Sequence, residues 1–168
     1  MKNILLIFFF ICWYSTVNAQ IIPVFPNNDI PTHTPIVLNG RTYLILQQSD
    51  KNAFVYNSNN TRHKYDLGLP NMKYHPTQYE WDTYKAPTSI FSPQRLAILK
   101  DEAWIMFLYI NTQTRKVDEV AFGMPLDTKI TAEELTAWED YIKNRIFSVA
   151  FFDDFTFSHV TIDDIVKW

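Results

Sequence analysis

One segment of this sequence sets its own conformation and, through it, much of what the rest must do. Thr131-Ala132-Glu133-Glu134 carries the T-x-x-E spacing in which a threonine side chain and a glutamate three residues later cap each other's backbone N–H groups. Ile130 and Leu135 stand where a hydrophobic staple forms. Leu135, Trp138, Ile142 and Ile146 then recur at helical spacing, and Lys143 and Arg145 fall in the last turn, where the helix dipole favours cations. The pattern predicts an amphipathic helix over about 132–146. Glu133, Thr136, Asp140 and Lys143 face away from its stripe, and Glu139 and Lys143 form an i,i+4 pair. A helix with one apolar stripe gains most of its stability by packing, so the remaining chain has to supply a surface for it.

That surface reads as antiparallel strands. Ile36–Leu38, Asn39-Gly40 and Arg41–Gln47 predict a β-hairpin, because a type I′ turn needs positive φ at both central residues and Asn-Gly adopts it at little cost. Ala53–Tyr56 is a third short strand. Further on, Arg95–Leu99, Ala103–Ile110 and Lys116–Phe122 read as a three-stranded meander, although Ser92-Pro93 also suits the start of a short helix through Leu99. After the helix, Phe147–Phe152 and Phe155–Ile162 return as strands. The expected class is α+β: a mainly antiparallel sheet with one main C-terminal helix, about 132–146, packed on one face. Residues 61–93 are polar and interrupted by proline, and they predict no regular element.

The N-terminus reads as an export signal. Met1-Lys2-Asn3 precedes an apolar run of 11 residues, Ile4–Tyr14, whereas crossing a bilayer core takes about 20. Val17 and Ala19 suit cleavage before Gln20. The expected organisation is a signal peptide at 1–19, a proline-rich arm at 20–35 carrying Pro23, Pro26, Pro31 and Pro35, and one α+β domain at 36–168. Cleavage removes Lys2 and Cys12, leaving 14 basic against 18 acidic side chains and no thiol. Disulfides, cysteine-ligated zinc and cysteine nucleophiles are thereby excluded from the processed chain. Absence of cysteine fits a bacterial periplasm or cell surface better than an extracellular animal domain, and no stable membrane span is expected after cleavage. The three glycines, Gly40, Gly68 and Gly123, write no P-loop, dinucleotide fingerprint or nucleophile elbow. A net charge of −3 without a basic run excludes a nucleic-acid partner.

The stretch Ile105–Phe151, with its hairpin strands (the second being Lys116–Phe122), capped helix and returning strand, resembles small exported proteins of unknown function from Bacteroidetes. It is also similar in outline to the C-terminal domain of TonB-type energy transducers. Those transducers carry glycine in the hairpin turn where this chain has Arg115, and they keep an uncleaved anchor; both departures argue against energy transduction. The resemblance implies an exported address and a fold type, and it transfers no catalytic residue.

Residues able to carry chemistry are few. His33, His63, His75 and His159 lack the spacing of a preformed metal site, so no metal or cofactor is expected; pairs such as His75 with Glu80 or His159 with Asp163 would have to be assembled by the fold. Ser89, Ser92, Ser148 and Ser158 lack the motifs of activated nucleophiles. The segment Tyr74–Tyr84 is the exception. If 79–82 is extended, Tyr79 and Trp81 share one face and Glu80 and Asp82 the other. Exposed, the rings of Tyr74, Tyr79, Trp81 and Tyr84 would bind an envelope protein or a glycan. Lining a cleft, Glu80 and Asp82 would serve as acid and base in glycan hydrolysis. Buried, the rings are simply core. The expectation from sequence is a non-catalytic binding module, with the hydrolase as its alternative.

Overall fold

The structure, a computed structural model, describes residues 21–22, 33–61, 82–147 and 158–168. Six strands form one sheet: β1 (Thr34–Leu38), β2 (Arg41–Gln47), β3 (Asn52–Asn57), β4 (Ile105–Asn111), β5 (Val117–Pro125) and β6 (His159–Ile165). Their spatial order is β1-β2-β3-β5-β4-β6, with every neighbouring pair antiparallel. Two α-helices, α1 (Pro93–Leu99) and α2 (Ala132–Lys143), lie among the described residues, so the class is α+β and mainly sheet.

The first hairpin follows from its turn. Leu38 pairs with Arg41, leaving Asn39 at φ 47° and Gly40 at φ 76°, both in the left-handed region that a two-residue type I′ turn requires. β1 begins at Thr34, so Pro35 belongs to a strand at the sheet edge rather than to an arm. Ile21 and Ile22 are buried in the core.

Three sequence expectations are corrected. Arg95–Leu99 is helical: the Ser92 side chain accepts the Arg95 N–H at 3.3 Å and Pro93 occupies the first turn, so local capping overrides the short apolar run. The meander is therefore a two-stranded β4–β5 hairpin, and β6 lies against the other edge of β4. Helix α2 stops at Lys143, where Asn144 leaves helical geometry (φ −90°, ψ 1°). Ile146 thus falls outside the stripe, is 52% exposed and pairs with Lys116 in an isolated bridge. Thr136, expected to face away, is buried beneath the first hairpin, whose Asn39 amide donates to its hydroxyl at 3.1 Å. The capping box of Thr131 and Glu134 forms as expected. The strand expected at 147–152 lies outside the described residues beyond Phe147, and the last strand runs to Ile165.

The main core is aromatic at its centre. Trp138 of α2 packs on Phe122 of β5 with ring centroids 5.7 Å apart, on Phe91 at 5.2 Å and on Trp168 at 5.5 Å; Trp104 completes the group 5.3 Å from Trp168. A second set of ion pairs and hydrogen bonds ties the helices beside it. Arg95 forks onto Glu134 at 2.6 and 2.8 Å and donates to the Lys129 carbonyl at 2.6 Å. Glu102 accepts from the Trp104 indole at 3.0 Å and from the Thr128 hydroxyl at 2.6 Å.

In the β4–β5 turn, Asn111 Oδ1 accepts from the N–H groups of Gln113 and Thr114, and the turn closes through Arg115 at φ 60°. A side chain with a Cβ is disfavoured there by about 1–2 kcal/mol, while glycine's freedom in the unfolded chain offsets part of that. Arg115→Gly is expected to stabilise the fold by up to ~1 kcal/mol, read as a raised urea midpoint at unchanged slope. Trp138→Ala is expected to cost about 3–5 kcal/mol in the same measurement, because neighbouring rings cannot collapse into the space of an indole.

Candidate functional site

Strand side chains alternate, so a sheet with helices over one face presents a second face made of the other residues. Here the middle of that second face is apolar as well, while Glu119 of β5 and Thr161 and Asp163 of β6 place polar groups on the same face. Cross-strand pairing places Leu46, Phe54, Gly123, Ile105 and Ile165 in one continuous row across β2, β3, β5, β4 and β6. A parallel row runs through Leu44, Tyr56, Ala121 and Phe107. Phe54 and Phe107 meet edge to face at 4.9 Å, and a ring carbon of Phe107 lies 3.7 Å from where a Cβ on Gly123 would stand. Tyr56 is fully buried, and its hydroxyl shares a hydrogen bond of 2.5 Å with His33 Nδ1. The rows grade from buried to open: Phe54 is 9% exposed, Leu44, Leu46 and Phe107 are half-buried, Ile105 is 42% exposed and Ile165 62%. Large aliphatic side chains open to solvent at the end of an aromatic row mark a surface suited to binding.

The second unusual arrangement is polar and lies where the first hairpin meets α2. Glu139, beside Trp138, is completely buried. Its Oε2 accepts from the Tyr43 hydroxyl and, at 3.5 Å, from Arg41. Its Oε1 accepts from Lys143 Nζ at 2.5 Å and from Asn57 Nδ2 at 3.4 Å. The Asn57 carbonyl oxygen in turn accepts the Asn59 N–H at 3.0 Å. Arg41 also forks onto Asp140 at 2.8 and 2.7 Å. Burial, reinforced by the Glu139 carboxylate, raises the ionisation of Tyr43 well above the ordinary tyrosine range. The hydrogen bonds from Arg41 hold Asp140 below its usual value near 3.8.

Of the residues singled out in the sequence, Tyr74, Tyr79, Glu80 and Trp81 lie outside the described residues. Asp82 and Tyr84 form one turn of 3-10 helix rather than an extended strand. Asp82 is paired with Lys85 at 2.6 Å. Tyr84 is buried in the main core at 1% exposure, so its ring is not offered to solvent; its carbonyl accepts the Lys167 N–H at 2.7 Å. His159 pairs with Asp118 of β5 at 2.8 Å, and among the described residues no group of three or more His, Cys, Asp or Glu side chains could hold a metal ion. Of the polar arrangement the sequence foretells the Glu139–Lys143 pair, which forms at 2.5 Å, but not its burial or its partners on β2 and β3, and the apolar rows are not foretold. The available signals were strands apolar at odd and even positions alike, as in Phe54-Val55-Tyr56, and a glutamate next to the tryptophan of an apolar stripe.

No family model matches the chain, and no curated protein matches it. Among solved structures it is similar to the crystal structure of a DUF5043 family protein from Bacteroides uniformis, with a TM-score of 0.61 over 81% of this chain and 85% of that one, at 14% sequence identity. At that identity the likeness is one of fold, and it agrees with the Bacteroidetes resemblance seen in the sequence.

Tyr43 keeps its proton in the folded state at pH values where the unfolded chain loses it. Its contribution is complete below about pH 10 and disappears as pH rises through the higher folded value. Tyr43→Phe is expected to cost about 1.5–3 kcal/mol at neutral pH, the worth of a hydrogen bond to a buried charge, and to flatten the alkaline fall in stability. Asp140 acts in the opposite direction: its contribution is present above its ordinary value near 3.8 and is lost on acidification below it, so Asp140→Asn flattens the acid limb instead. Urea midpoints recorded across pH check both.

Proposed function

We propose that this chain is an exported, non-catalytic binding module of the bacterial envelope, and that it takes a protein partner on the second face of its sheet. The observation that carries this reading is the gradient along Leu46, Phe54, Ile105 and Ile165, from a packed aromatic centre to aliphatic side chains 42% and 62% exposed. Binding surfaces of this kind have a desolvated aromatic core ringed by contacts that exclude water. Aliphatic rather than flat aromatic groups lie at the open end, which favours a protein over a glycan, since sugars stack on exposed rings.

Export rests on the leader-like residues 1–19 and on the absence of cysteine after Gln20. No helix among the described residues is long and apolar enough to cross a membrane. The hydrolase alternative, with Glu80 and Asp82 as acid and base, has weaker support, because the Asp82 carboxylate is already engaged by Lys85. Energy transduction of the TonB type is not part of this reading.

Crosslinking the tagged protein in its native cells and identifying what is attached tests the proposal. Ile105→Lys with Ile165→Lys is expected to abolish the specific crosslink while shifting the urea midpoint by far less than a core substitution, because the two side chains are 42% and 62% exposed. An unchanged crosslink in this double variant would remove the second face from the proposal. Loss of glycan turnover on Glu80→Gln and Asp82→Asn would establish the hydrolase instead.

A further inference from the structure

We infer that Lys143 and Asn57 are the two halves of an intramolecular isopeptide bond, with Glu139 as the group that moves the proton between them. Lys143 supplies a primary amine, Asn57 a carboxamide carbon, and both of their nitrogens are held by the same oxygen, Glu139 Oε1, at 2.5 and 3.4 Å. Tyr43 and Arg41 occupy the other oxygen, which fixes the carboxylate and leaves Oε1 to the two reactants. The Asn57 carbonyl oxygen already accepts the Asn59 N–H at 3.0 Å, a donor placed where negative charge would develop on attack. Glu139 is wholly buried and Asn57 is 8% exposed, so water competes poorly with the amine. The Lys143 side chain is 31% exposed, which gives it room to swing from the carboxylate to the amide carbon and gives ammonia a way out.

The step balances without any co-reactant. The Lys143 ammonium gives a proton to Glu139 Oε1, and the freed lone pair of Nζ attacks Asn57 Cγ, forming the Nζ–Cγ bond and placing charge on Oδ1. Glu139 returns its proton to Nδ2, the Cγ–Nδ2 bond breaks, and ammonia leaves, taking the remaining amine proton into water as ammonium. Nothing is oxidised or reduced. The product ties the end of β3 to the last turn of α2, joining sheet and helix covalently in a processed chain that has no cysteine for a disulfide.

Peptide mass spectrometry of the full chain, expressed with its leader and purified, tests this. The expected result is a branched peptide joining residues 57 and 143, lighter by one ammonia than its two linear parts together. Lys143→Arg, which keeps the charge, and Glu139→Gln are each expected to give linear peptides only. Linear peptides alone from the wild-type protein would overturn the inference. An ammonia loss that maps elsewhere without the branched peptide would overturn it equally, since a succinimide at Asn39-Gly40 or cyclisation of a terminal Gln20 removes the same mass. A branched peptide persisting in Glu139→Gln would overturn the role given to Glu139, whereas its absence there with the branch present in wild type supports it.

Discussion

A carboxylate without water must find its solvation in the protein, and the way Glu139 does so organises one whole end of this molecule. Four donors from three elements converge on it: Arg41 and Tyr43 from β2, Asn57 from β3 and Lys143 from its own helix. Burying a lone carboxylate would cost several kcal/mol, so the arrangement holds only while all these elements keep their places. The register of the first hairpin, the rotation of α2 about its axis and the end of β3 are thereby coupled through one side chain. Asn39 and Thr136 repeat the coupling one helical turn earlier with a neutral pair.

The hydrophobic side of the same interface is supplied by Trp138. Thr136 and Glu139 project from other sides of the helix than Trp138 and are buried because the first hairpin covers them, through Asn39 and Tyr43, widening the strip that is removed from water. Apolar packing places the helix on β5, and the polar cluster fixes which way it faces. Packing alone tolerates sliding, whereas a buried charge with directional partners does not.

Much of the fold was legible because its signals are local. The Asn39-Gly40 turn and the Thr131/Glu134 cap act over four residues, and each appears where the sequence predicts it. For Arg95–Leu99 the short apolar run carries no period of its own and suggests a strand, whereas the alternative marked by Ser92-Pro93, a short helix, is the one that forms, with Glu134 as the distant partner of Arg95. The end of α2 was misread for a similar reason: Ile146 continues the spacing, but nothing in the spacing reports that the chain turns at Asn144. The candidate surfaces were the least legible. A sheet order of β1-β2-β3-β5-β4-β6 puts Leu46 and Ile165 in one row, and no pattern within either strand foretells that alignment. Of the segment that the sequence favoured, Tyr84 is a core residue and Asp82 part of a surface ion pair.

Among the described residues, Pro35 lies in the outermost strand at one side of the sheet. Because Leu38 and Arg41 close the two-residue turn as a hydrogen-bonded pair, pairs alternate from there, and Pro35 opposite Leu44 is at a position whose amide points outward. That amide has no hydrogen to give. A foreign strand approaching this margin would meet a missing rung in its ladder, within a strand of only five residues. The interruption comes from a ring closure in one residue rather than from charge, so neither salt nor pH alters it.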